Sequence, residues 1–147
     1  MSKHSLKKNG GSVARSVYLN GVTAVTAGGA GDNTAINSAW TDRALSNLIG
    51  MAGSAKVVVA WTTTLAANKT LSLAFKVQDA DDNSGTNSAD AGVDAYPNGA
   101  ALTSTVVQTD TGSGGTYTGT TEFDVNLTGL RQFVRSVVTP DLNASGT

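Results

Sequence analysis

Apolar and polar side chains alternate strictly over residues 70–78 (TLSLAFKVQ). Leu71, Leu73, Phe75 and Val77 fall on one side, and Thr70, Ser72, Lys76 and Gln78 on the other. A two-residue period is that of a strand with one buried face, and it predicts a strand here. The preceding run, residues 56–64 (KVVVAWTTT), is β-branched and puts Val57, Val59 and Trp61 on one side. Residues 66–69 join the two as either a hairpin or an arch between sheets. Further strands are predicted at residues 102–109 (LTSTVVQT), at 120–128 (TTEFDVNLT) and at 131–139 (RQFVRSVVT), the last closed by Pro140. In the second of these, Thr121, Phe123, Val125 and Leu127 alternate with Glu122, Asp124 and Asn126, and the Gly-rich residues 110–115 before it predict a hairpin.

The amino-terminal half is less regular. Residues 13–26 alternate Val13, Arg15, Val17 and Leu19 with Ala14, Ser16, Tyr18 and Asn20, which predicts a strand with a turn at Asn20-Gly21. A Gly-rich loop follows over residues 27–37. Trp40, Ala44, Leu45, Leu48 and Ile49 then fit either a short helix capped by Asn37 or Ser38, or an extended edge segment. Residues 79–99 form a polar excursion too long for an idle connection in a compact domain. Seven or eight short strands with frequent turns predict an all-β, single-domain β-sandwich, jelly-roll-like, over residues 13–147, behind an extended basic arm at 1–12 (MSKHSLKKNGGS).

Composition changes the picture in three ways. Hydrophobic residues make up 39% and aromatics 5%, so the core is built from Val, Leu, Ala and Thr methyls, which suit sheets. Charged residues are 14%, against roughly 25% in ordinary soluble domains, leaving a neutral, hydroxyl-rich surface that tolerates neighbours. The charge is also unevenly placed: Lys3, Lys7, Lys8 and Arg15 all precede the first acidic residue, Asp32. The remainder, with six of the 10 basic and all 11 acidic residues, carries −5. Cysteine is absent, which removes disulfides, thiolate metal sites and thiol nucleophiles. No run approaches the roughly 20 apolar residues of a membrane helix, and the first residues lack the apolar stretch of a secretory signal, so synthesis in a cytoplasm is expected.

Candidate chemistry is sparse. The single histidine, His4, lies in the arm, away from any scaffold that can orient a Ser-His-Asp set. Gly28-Gly29-Ala30-Gly31 lacks the following helix and Lys-Ser/Thr of a phosphate loop. Asp79, Asp81, Asn83 and Asp90 have the spacing of a calcium loop, but Ser84 stands where that loop needs glycine, and a solvated loop with Asx turns is the favoured reading. Glu122 and Asp124 point the same way, as a glycosidase pair would, yet both fit the solvent face of a strand. Arg131 and Arg135 can meet acidic groups across an interface or form ordinary surface salt bridges. Lys3, Lys7, Lys8 and Arg15 form a footprint better suited to protein than to nucleic acid, because the acidic body repels phosphate. The sequons at Asn68, Asn126 and Asn143 carry no weight without a secretory signal. A non-enzymatic chain without cofactor or metal is expected.

Several phrases together are familiar: AWTDRAL (39–45), SAKVVVAW (54–61), TLAANKTLSLAFKVQDADD (64–82) and GLRQFVRSVVTPDLNASGT (129–147). They resemble small decoration or cement proteins encoded beside the major capsid gene of tailed bacteriophages. The resemblance implies a β-sandwich on the outside of an expanded capsid, made in the host cytoplasm and found in the virion. Its partners would be the major capsid protein and copies of itself, with a trimer as the first expectation, and neither nucleic acid nor membrane. The arm from Lys3 to Arg15 would reach an acidic neighbour, and residues 79–99 would make lateral or outward contacts. Rival readings are a receptor- or glycan-binding head or fibre module using Trp40, Tyr96 and Tyr117, a tail-tube or shell subunit, and last an enzyme dependent on Glu122.

Overall fold

The computed structural model describes residues 19–46 and 50–143. The arm at 1–12 with Lys3, His4, Lys7 and Lys8, the first part of the strand predicted from Val13 with Arg15, Leu48 and Ile49, and the tail from residue 144 lie outside the described residues. Ten strands follow in chain order: β1 Ile36–Asn37, β2 Thr41–Asp42, β3 Ala44–Ser46, β4 Gly50–Met51, β5 Ser54–Leu65, β6 Thr70–Ala80, β7 Ala89–Asp90, β8 Leu102–Thr109, β9 Gly115–Asn126 and β10 Phe133–Leu142. A 3-10 turn at Val93–Ala95 is the only helical element among the described residues.

The strands form two main layers, all pairing antiparallel. In the larger, β6 and β10 lie side by side over ten register pairs, with β1 and β2 beyond β10, and β7 and β8 beyond β6. In the smaller, β5 and β9 pair only with each other, from Ser54 opposite Asn126 to Leu65 opposite Gly115. β3 and β4 make a separate small hairpin. The core lies between the layers because the period-two pattern gives each one apolar face. From β6 come Leu71, Leu73, Phe75 and Val77; from β9 come Phe123 and Val125, with Leu127 just beyond. The Phe75 and Phe123 rings stack at 4.3 Å between centroids, joining the layers at their middle.

This is an all-β fold of antiparallel sheets consistent with a β-sandwich. The smaller layer is a two-stranded ribbon, narrower than the paired sheets of a jelly roll. Residues 66–69 are an arch, since β5 and β6 lie in different layers, and residues 110–114 are also an arch, between β8 and β9, rather than the predicted hairpin.

Two further expectations are corrected and one left open is decided. Residues 19–25 carry no strand: Val22 is fully exposed and offers nothing to a core, although the Leu19 carbonyl accepts the Ala39 N–H. Of the two readings left open for the segment after Trp40, the extended one holds, as β2, β3 and β4. Finally, Pro140 does not close the last strand, which runs on to Leu142. The Pro140 carbonyl accepts the Asn33 N–H, so this residue turns its backbone away from β6 and its missing N–H costs no bond of the β6–β10 ladder.

Candidate functional site

The long loop after β6 is stapled to the body by Arg131. Its guanidinium donates to both Asp79 Oδ1 (2.7 Å from Nη2) and Asp81 Oδ1 (3.0 Å), and to the Asn87 carbonyl, while its backbone N–H donates to Asp79 Oδ2. Burial opposes the charge on Asp79, but side-chain and backbone hydrogen bonds from Arg131 outweigh it and hold the carboxyl below its usual range. Within the loop, Asp82 accepts the Ser84 and Thr86 N–H groups and the Thr86 hydroxyl, an Asx-type turn. Asp90 accepts from Lys76 and Gln78. Asp79, Asp81 and Asp90 thus face cationic or amide donors, Asn83 is exposed, and no group of three His, Cys, Asp or Glu among the described residues is placed to hold a metal ion.

Arg135 lies beside this staple with its guanidinium carbon 4.5 Å from the centre of the Trp40 ring, and its Nε donates to Gln78. Trp40 in turn packs against Gly85, where a Cβ would stand 2.6 Å from the indole nitrogen and where φ is +84°. Glycine is needed there twice over, for the backbone conformation and for the space. Arg131 and Arg135 therefore both fasten the loop at 81–88 to β6 and β10.

Sequence reasoning missed two anchors. Asp110, 2% exposed, accepts the Tyr117 hydroxyl on Oδ1 and the N–H groups of Asn68, Gly112 and Gly114 on Oδ2, tying both arches together. The Tyr117 hydroxyl and then the backbone donors hold its carboxyl below the usual range. Arg43, also buried, donates to the carbonyls of Ala52, Leu127 and Leu130, closing the crossing from β9 to β10. An acidic residue opening a Gly-rich run is the one signal that points to Asp110. Nothing in the local pattern around Arg43 marks it.

The aromatic residues of the glycan-binding reading are committed elsewhere. The Tyr96 hydroxyl accepts the Val77 N–H in the core, Tyr117 serves Asp110, and Trp40 is packed against Arg135 and Gly85. Glu122 and Asp124 sit on the outer face of the ribbon around Lys56, at 2.7 and 3.5 Å.

The outer ribbon face presents a run of exposed side chains along both strands. Lys56, Val58, Ala60, Thr62 and Thr64 alternate outward on β5, opposite Asp124, Glu122, Thr120, Thr118 and Thr116 on β9. Apart from the charged group at one end it is methyl and hydroxyl, which suits contact with another protein surface more than recognition of a charged ligand. Comparison with family models, with curated proteins and with solved structures finds no match.

Proposed function

We propose that this chain is a structural virion protein, a decoration or cement subunit that binds the outer surface of a capsid lattice and stabilises it. The observation that supports this most is the pairing of the two longest phrases of the resemblance. TLSLAFKVQDA and FVRSVVTPDL are β6 and β10, which lie against each other over ten register pairs at the centre of the larger sheet. The phrases therefore belong to one structural unit rather than to scattered surface matches.

The physical logic is repetition. A small, weakly charged sandwich makes modest contacts, and many copies on a lattice multiply them through avidity. The neutral ribbon face, the loop at 79–99 with its outward Val93, and the basic arm from Lys3 to Arg15 are the contact regions of this reading. Arg131 and Arg135 contribute indirectly, by holding that loop in place.

Purified chain mixed with expanded phage shells that lack it tests the reading by co-sedimentation. Binding that saturates at a fixed number of copies per shell, and that weakens when residues 2–12 are deleted, is the expected result. No binding to any such shell would overturn it.

A further inference from the structure

Among the described residues, both long edges of the β5–β9 ribbon lack a strand partner. β5 and β9 each run for twelve residues in unbroken register, and among the described residues neither hydrogen-bonds to another strand. Twelve residues at roughly 3.4 Å each make an edge of about 40 Å, whose alternate N–H and C=O groups face outward. Few of the usual protections are present: neither strand has a proline or a bulge, and the charged residues, Lys56, Glu122 and Asp124, all lie at one end of the ribbon. Other edges of this molecule are guarded. β8 shifts register twice against β6, and the outer side of β10 is covered by β1 and β2.

The two edges differ in charge. The β5 edge carries Lys56 and no acid, whereas the β9 edge carries Glu122 and Asp124 and no base. Pairing β9 with β9 lays two acidic strands together, and pairing β5 with β5 leaves both acidic edges open. Pairing β5 of one copy with β9 of the next sets Lys56 beside a second Asp124 and Glu122, and gives both edges a partner.

We infer that the ribbon is a self-assembly surface on which copies of this chain join head to tail, β5 of one antiparallel to β9 of the next, in a closed ring. Such a contact is heterologous, so it does not close in a pair: repeated, it gives a ring of more than two copies where the rotation closes and an open filament where it does not, and a discrete species marks the ring. Side chains on the outer face, Val58, Ala60 and the threonines, then form a continuous sheet surface around the ring.

The purified, full-length chain without any shell suffices for the test, which separates it from the capsid proposal. Native mass spectrometry across a concentration series, with amide hydrogen exchange at each end of the series, reads both size and place. The expected result is a discrete species of more than two copies, with alternate amides of both β5 and β9 changing from fast to slow exchange as it forms. Lys56→Glu should raise the concentration for half-assembly by about tenfold or more through like-charge contact, and mixing it with a Glu122→Lys/Asp124→Lys chain should restore assembly. A monomer at every concentration, an oligomer protected on only one of the two strands, or an oligomer whose newly slow amides lie elsewhere would overturn the inference. The exchange measurement uses the unaltered chain, so it stands even where a variant fails to fold.

Discussion

Trp61 lies across Gly119, its cross-strand partner in the ribbon, so closely that a Cβ on Gly119 would stand 2.5 Å from the indole ring. The indole N–H donates to Thr121 two residues along, which fixes the ring in place. Residue 119 thus supplies the space that lets a large side chain lie flat between a thin ribbon and the sheet beneath it.

Gly119→Ala is therefore an overpacking change. It should cost about 1–3 kcal/mol of stability and shift the Trp61 fluorescence, both readable in one denaturant titration. An unchanged midpoint and spectrum would show that the ring moves aside freely.

The Phe75–Phe123 stack is the central bond between layers. Truncating either ring to alanine should destabilise by about 3–5 kcal/mol, as for other buried aromatics. A double-mutant cycle should return a coupling of about 0.5–1.5 kcal/mol. Strictly additive losses would mean that the stacked geometry contributes nothing beyond burial.

Acid should loosen the arches. Asp110, Asp79 and Asp32 all have carboxyls held below the ordinary range, by Tyr117 and backbone donors, by Arg131 against the cost of burial, and by the Leu142 and Gly28 N–H groups respectively. A carboxyl whose folded value is depressed contributes stability that is complete above its unfolded value, near 3.9, and is lost as pH falls through the folded value. The urea midpoint should thus hold from neutral pH down to about 5 and drop below about 4. Asp110→Asn should lower the midpoint at pH 7 and narrow its gap to the unaltered chain as the pH falls. A gap that widens in acid would contradict this sign.

Removing the partner of Arg131 should free the loop. Asp79→Ala leaves the Arg131 guanidinium and backbone N–H short of their main acceptor, at a cost of about 1–3 kcal/mol. Amide exchange over residues 81–88 should quicken while β5 and β9 stay unchanged. Equal quickening everywhere would indicate a global rather than a local role.

Of the five long strands, β6 and β9 were legible because apolar and polar side chains alternate along them, and β5, β8 and β10 because they are rich in β-branched residues. Leu71, Leu73, Phe75 and Val77 show the alternation most plainly. What escaped was whatever depends on distant partners. The glycines at 112, 114 and 115 announce a reversal, but only the pairing of β9 with β5 makes it an arch. Pro140 stops a strand by local rules, and the exception comes from Asn33, more than a hundred residues earlier. Asp79 has the spacing of a cation ligand, yet its partner is Arg131, 52 residues along. Residues 19–25 carry no strand, and the alternation that predicted one runs from Val13 to Asn20, mostly outside the described residues.

The proposed function places many copies of this all-β body on a larger lattice. A symmetry-averaged cryo-electron reconstruction of intact virions encoding this chain tests that most directly. Density for the two-layer body at repeated, symmetry-related positions outside the shell is the predicted result. Virions that contain no copy of the chain, or hold it only inside the shell, would contradict it.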